Sequence, residues 1–153
     1  MKTYAGSCLC KGVTFEVTGP LQDFQTCHCI QCRKTSGHYA ANVTVSSLQM
    51  ELLRYDSLKW FTSMDQVEKG FCSDCGSSLF WSFAGRDGWN VAAGVFDDQL
   101  DAKISHHSFT AEKSDYYTLD DGLPQAPLFD LEVSVKPSFY PKPKPTHKTD
   151  NEQ

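Results

Sequence analysis

Seven cysteines in 153 residues, all of them clustered, constrain this chain more than any other feature. They fall as Cys8 and Cys10 (C-x-C), Cys27, Cys29 and Cys32 (C-x-C-x-x-C), and Cys72 and Cys75 (C-x-x-C). An odd count cannot pair off completely into disulfides within one chain. The opening MKTYAGSCLCKG has no apolar run behind its first lysine and does not read as a secretory signal. The expected compartment is therefore cytoplasmic, where disulfides seldom persist and clustered cysteines bind metal or do redox chemistry.

Spacing sorts the seven into four plus three. Cys72 and Cys75 are followed by Gly76, which suits a tight knuckle whose backbone N–H groups turn towards the thiolates. Joined to Cys8 and Cys10, they make a four-thiolate site of the kind zinc occupies structurally. The competing readings are scattered core cysteines or a redox C-x-x-C. Cys27, Cys29 and Cys32 remain. This set reads either as a second closed site, completed by a histidine, or as an open one. The histidine candidates are His38, His106 and His107, since His28 points away if Cys27 and Cys29 share a strand face. In an open three-thiolate site the fourth position takes water, a thiol or another ligand, and that is where zinc does chemistry. An iron–sulfur cluster fits the spacing less well.

The bulk of the chain reads as one domain over residues 1–135, followed by a polar, Pro- and Lys-rich tail over 136–153. With 14 Lys and Arg against 19 Asp and Glu, the net charge is -5, which argues against a nucleic-acid binder. No apolar stretch is long enough to span a membrane. Hairpin strands flank Cys8 and Cys10, and DFQTCHC reads as a strand running into the three-cysteine turn. HYAANVTV reads as a strand, and a turn at Ser46–Leu48 precedes another strand from Met50. SLKWFTS, VEKGFC, SSLFWSF, GWNVAAGVF and AKISHHSFT continue the strand series, and FDLEVSVKP reads as a late strand or an ordered arm. SDYYTLDDGLPQ has no clear period, and no strong helix is visible, so the expected class is mainly β.

Taken together, four motifs resemble those of one family. They are G-S-C-x-C, C-H-C-x-x-C-R-K-x-x-G, F-C-x-x-C-G-S-x-L and D-G-L-P-Q, spread over residues 4–128. The chain resembles the glutathione-dependent formaldehyde-activating enzymes, a family that includes the domain of centromere protein V. The resemblance implies a β-tent of stacked antiparallel sheets organised around zinc. It implies two zinc ions per chain: a structural one on Cys8, Cys10, Cys72 and Cys75, and a catalytic one on Cys27, Cys29 and Cys32. It further implies a carbon–sulfur lyase, with glutathione or a similar small thiol and formaldehyde or another small aldehyde as partners. The family often carries Gly directly after the first C-x-C, where this chain has Lys11.

On this reading a thiol cosubstrate is held as thiolate, the nucleophilic form, and its sulfur adds to the aldehyde carbon. Arg33 and Lys34, directly after the third cysteine, are the candidates for receiving the cosubstrate's carboxylate; otherwise they are solvated charges or donors to the thiolates. His106 and His107 face opposite ways on a strand, so one of them lines the pocket as a proton carrier, or else one is satisfied in the core and the other exposed. Phe61, Phe71, Phe80, Trp81 and Trp89 read as core, and the acids of GVFDD as turn formers. The alternative function is a zinc-stabilised binding module without catalysis. Either is compatible with a homo-oligomer.

Overall fold

The computed structural model describes residues 1–63 and 67–128. The late strand read in FDLEVSVKP and the tail over 136–153 lie outside the described residues. Among the described residues ten strands dominate, as the alternation of apolar and polar residues predicts. β1 (Thr3–Ser7), β2 (Thr14–Thr18) and β5 (Met50–Arg54) form a three-stranded antiparallel sheet in the order β1-β2-β5. β3 (Phe24–Cys27), β4 (Ala40–Val45), β6 (Leu58–Ser63), β7 (Val67–Cys72), β8 (Ser78–Phe83), β9 (Trp89–Ala92) and β10 (Ile104–Ser108) form the second sheet. Its order is β10-β3-β4-β9-β8-β7-β6. Among the described residues no helix is long and apolar enough to cross a membrane.

Three features depart from the sequence expectations. The sheets are not wholly antiparallel, because β10 pairs with β3 in parallel. GWNVAAGVF is a strand only through Ala92. A 3-10 turn at Ala93–Val95 follows, and Phe96 then bridges back to Gly6. A helix is also present, α1 (Ile30–Ser36), immediately after the second cysteine of the central motif. Cys29 caps it, its Sγ accepting from Cys32 N at 3.4 Å, and Gly37 ends it in the left-handed region (φ 79) with its N–H on Arg33 O. Seven residues are under two turns, too few to show a helical period in sequence.

Between the sheets lies the core. Phe15 meets Phe80 and Phe96 edge to face, with ring centroids 5.3 and 5.7 Å apart, and Val13, Val17, Val43, Val45 and Val91 fill around them. Gly6 sits opposite Phe15 across β1 and β2, and a Cβ there would fall 2.1 Å from the Phe15 ring. The ring therefore lies over a bare backbone, which fixes where β1 crosses the core. Asp97 and Asp98, read as turn formers, also fasten β1: Ser7 Oγ donates to Asp97 Oδ1 (2.9 Å) and Ala5 N donates to Asp98 Oδ2 (2.6 Å). Of the aromatics expected in the core, Phe80, Trp81 and Trp89 are buried, but Phe61 is 44% exposed. It pairs with Phe71 at the outer end of the sheet, where β6 has no further strand neighbour among the described residues.

The register of the larger sheet separates its two faces. Gly70, Phe80, Val91 and Val43 stand opposite one another across β7, β8, β9 and β4, in the row that faces the core. One residue along, Lys69, Trp81, Asn90 and Thr44 form the matching row on the other face. Half of each strand therefore builds the sandwich, and half builds the floor of a cleft.

Lys11, in the turn between β1 and β2, adopts φ 60, where a side chain other than Gly is strained. Lys11→Gly is expected to stabilise the chain by up to about 1 kcal/mol. Thermal melting of the metal-replete protein checks this: a higher midpoint supports the strain, and a lower one removes it.

Candidate metal centres

Two groups of sulfur atoms converge. Cys8 and Cys10 lie in the turn after β1, Cys72 ends β7, and Cys75 lies in the following knuckle. Their four Sγ atoms lie within 4.8 Å of one another. Cys8 and Cys10 Sγ are 3.6 Å apart, and Cys10 and Cys72 Sγ are 3.7 Å apart. A disulfide needs about 2.05 Å. Four sulfurs at about 2.3 Å around a tetrahedral zinc stand about 3.8 Å apart, so the donor set fits zinc in both element type and spacing. The surrounding backbone is arranged for thiolates. Val13 N donates to Cys8 Sγ (3.2 Å); the knuckle itself is closed by Gly76, at φ 76, whose N–H donates to the carbonyl of Cys72 (2.8 Å).

Cys27 ends β3, Cys29 caps α1 and Cys32 lies in its first turn; their three Sγ atoms also lie within 4.8 Å of one another. The strand-to-helix turn therefore gathers three thiols that a continuous strand would have splayed to opposite faces. Among the described residues no histidine, aspartate or glutamate joins this group. All four histidines of the central region are engaged elsewhere. His28 is fully buried behind the turn, with Nδ1 on Tyr117 Oη and Nε2 on Thr26 Oγ1 (3.1 Å) and His107 Nδ1 (3.1 Å). His107 Nε2 meets Asp121 Oδ2 at 2.9 Å, and Thr26 Oγ1 meets His107 Nδ1 at 2.6 Å. His38 Nδ1 meets Tyr116 Oη, while His106 Nδ1 meets Ser105 Oγ (2.8 Å).

This network gives the D-G-L-P-Q motif a role that its sequence did not disclose. Asp121 reaches His107, His107 N donates to Pro124 O (2.9 Å), and Gln125 bridges to His107 in parallel. The motif thus clamps β10 beside β3, the strand that delivers Cys27.

Crowding sets the thiol acidities. Hydrogen bonds from Cys27 and Cys32 hold the Cys29 thiol down at about 2. Cys29 in turn pushes Cys27 up to about 11. Cys32 is raised by Cys27 first, then by Cys29 and burial. In the four-cysteine group, Cys75 falls to about 5, chiefly through Ser77, and burial lifts Cys72 to about 12. Each cluster therefore readily carries one thiolate, and a cation is what would discharge the remaining protons.

The three-cysteine group opens onto a cleft of about 760 Å³ along the second face of the larger sheet. The other predicted site residues divide. Lys34 and His106 line the cleft. Arg33 turns behind α1, where Nη1 donates to Ser114 Oγ. Several lining residues carried no sequence signal. Glu112 Oε2 accepts from Ile30 N (2.8 Å) at the start of α1, and Gln25 Nε2 donates to Asn42 Oδ1 (3.2 Å) on the floor. Strand register places Gln25 and Asn42 here, and the 3-10 turn Thr110–Glu112 after β10 places Glu112.

Fold and site together define a class: a mainly β protein with two separate cysteine clusters, each able to hold a metal ion. Residues 3–112 match the family model described as glutathione-dependent formaldehyde-activating enzyme, and the chain belongs to that family. A Halomonas elongata protein, provisionally named as a glutathione-dependent formaldehyde-activating enzyme, is 32% identical over 108 residues. That match covers 65% of this chain and 66% of the relative, just under two thirds of its length. A Rhodobacter sphaeroides protein of known crystal structure shares the fold, with a TM-score of 0.54 at 18% identity over 66% of this chain and 99% of that one.

Two measurements check the site chemistry. After brief metal removal, iodoacetamide at pH 6 should label Cys29 and Cys75 well ahead of Cys27 and Cys72, since only thiolates react. Peptide mass mapping reads the order, and equal labelling would contradict the gathered geometry. Burial, followed by repulsion from His107, lowers His28 from 6.5 to about 4. The unfolded chain thus binds the extra proton between these values, so stability should fall as pH drops through that window. Compared with His28→Gln, the loss specific to the wild type should reach about 3 kcal/mol by pH 4. Parallel pH curves for the two proteins would refute it.

Proposed function

We propose that the chain is a zinc-dependent carbon–sulfur lyase that makes or breaks a thiol–aldehyde adduct, with glutathione and formaldehyde as the reference pair. The observation that carries this reading is the three-cysteine group on the cleft, which no fourth side chain among the described residues completes. Cys8, Cys10, Cys72 and Cys75 would hold one zinc, which would tie the two sheets together. Cys27, Cys29 and Cys32, which line the cleft, would hold a second. Zinc bound there supplies a place where an incoming thiol is kept deprotonated near neutral pH.

The chain's residues do the rest. α1 fixes the three sulfurs, and the His28–Thr26–His107–Asp121 network braces the turn from behind. Lys34, exposed at the rim of the cleft, receives a carboxylate of the thiol substrate, with Arg33 holding α1 against Ser114. The substrate sulfur forms a bond to the aldehyde carbon as the carbonyl π bond opens to an oxyanion. The proton lost by the thiol returns to that oxygen, carried by His106 from the cleft wall. The reverse sequence releases the aldehyde, and no oxidant or reductant is consumed.

Native mass spectrometry of protein purified under reducing conditions without added metal is expected to show two zinc ions per chain. Cys32→Ser should keep one zinc and the fold, yet return exchange between formaldehyde, glutathione and their adduct to its uncatalysed rate. Cys72→Ser should fail to fold. A wild-type protein with one zinc and no effect on exchange would instead indicate a zinc-stabilised binding module.

A further inference from the structure

Lys69 and Trp81 stand opposite each other on β7 and β8, in the row that floors the cleft. Each is only 4% exposed. An ammonium group is almost never buried this deeply without an anionic partner. Among the described residues Lys69 makes no ion pair; its Nζ donates to Thr35 Oγ1 at 3.2 Å, one use of three available protons. The indole N–H of Trp81 is buried and has no hydrogen-bond partner among the described residues. An unmet buried donor costs free energy, and two at one register position on a cleft floor form a prepared anion site.

Its location is equally specific. Trp81 packs in one cluster with Cys32 and Ala40, with Cys27 and Cys29 against it. Thr35, which holds Lys69, lies on α1 one turn beyond Cys32 and donates onward to Gln31 O (2.8 Å). Both donors are therefore anchored to the elements that carry the three thiols. Amide side chains continue the floor: Asn90 lies next to Trp81 in register, and its Oδ1 accepts from Thr44 Oγ1 (3.0 Å). The surroundings suit a small planar anion.

We propose that Lys69 and Trp81 form a carboxylate subsite beside the three-cysteine centre, so that this chain selects a substrate bearing a carboxylate close to its reacting atom. The proposal rests on the thiol–aldehyde reading of the cleft. The carboxylate is carried by either the thiol or the carbonyl compound, and paired probes separate these sources. One pair is 3-mercaptopropionate and 2-mercaptoethanol; the other is glyoxylate and acetaldehyde. Within each pair the reactive group is kept and the charge is removed.

Binding to the metal-loaded full chain is measured by calorimetry. Indole N–H signals are followed by nuclear magnetic resonance, with Trp81→Phe assigning one of the three tryptophans. In at least one pair the carboxylate member should bind about tenfold to a hundredfold more tightly, the usual worth of a charged hydrogen bond. That preference should collapse in Lys69→Met while the neutral member binds as before, and Trp81→Phe should reduce it several-fold. The Trp81 signal should move with the carboxylate member and not with the neutral one. The pair showing the preference identifies the source.

Equal binding within both pairs overturns the subsite. So does a Lys69→Met variant that weakens charged and neutral members alike, because Lys69 would then serve the thiolates or the fold. The indole measurement is made on the wild type, with Trp81→Phe used only for assignment, so poor folding of Lys69→Met leaves the test intact. Carboxylate-selective binding without catalysed adduct exchange would sink the lyase reading and keep the subsite. Catalysed exchange without selectivity would do the reverse.

Discussion

Sulfur atoms 3.7 Å apart on residues 62 positions distant, Cys10 and Cys72, are the contact on which the rest of the structure depends. One belongs to the turn of the small sheet, the other to the end of a strand in the large one. Closing so long a loop is entropically costly, and the enclosed strands are only four to six residues each. Four thiols at this spacing are too far apart for disulfides and too close to ionise together without a cation. The cluster is therefore strong only when something positive sits among the sulfurs, which couples metal retention to the register of the whole sandwich.

The second cluster uses the same chemistry under looser constraint. Its three cysteines lie within one strand-to-helix turn, so gathering them costs little chain entropy and contributes little to global topology. Order there comes instead from behind. His28 and His107 are buried, share Thr26, and are fastened by Tyr117 and Asp121 from the segment after β10. That segment reaches the site only because β10 runs parallel to β3. The parallel pairing looks minor in the topology, yet it brings the D-G-L-P-Q motif against the cysteine turn.

Much of this was legible in the sequence, and what was not has physical reasons. Cysteine spacing is local information, and it separated the four-residue from the three-residue set before any coordinates. Most strands were visible because their faces alternate. α1 was hidden because a seven-residue helix has no period and its cap is a cysteine, a residue that does not advertise capping. The parallel partner of β3 was hidden because pairing between distant strands leaves no local trace. Lys69 is the sharpest case. VEKGFC reads only as a strand, and nothing within it indicates that Lys69 is buried opposite Trp81.

Register is what turns Lys69 from a surface residue into a floor residue, and the same register explains why the cleft is polar at all. One row of the large sheet, Gly70, Phe80, Val91 and Val43, must be apolar or absent to pack on the small sheet. The row one residue along is free of that demand, and there the chain places Lys69, Trp81, Asn90 and Thr44. A cysteine turn that holds metal recognises sulfur and little else. On the proposed thiol–aldehyde reading, discrimination has to come from groups that touch the remainder of the molecule, and the free row supplies such groups on the cleft floor. Two chains with identical cysteine motifs can therefore differ in substrate through alternate positions on β7, β8 and β9, without altering the core that holds either cluster in place.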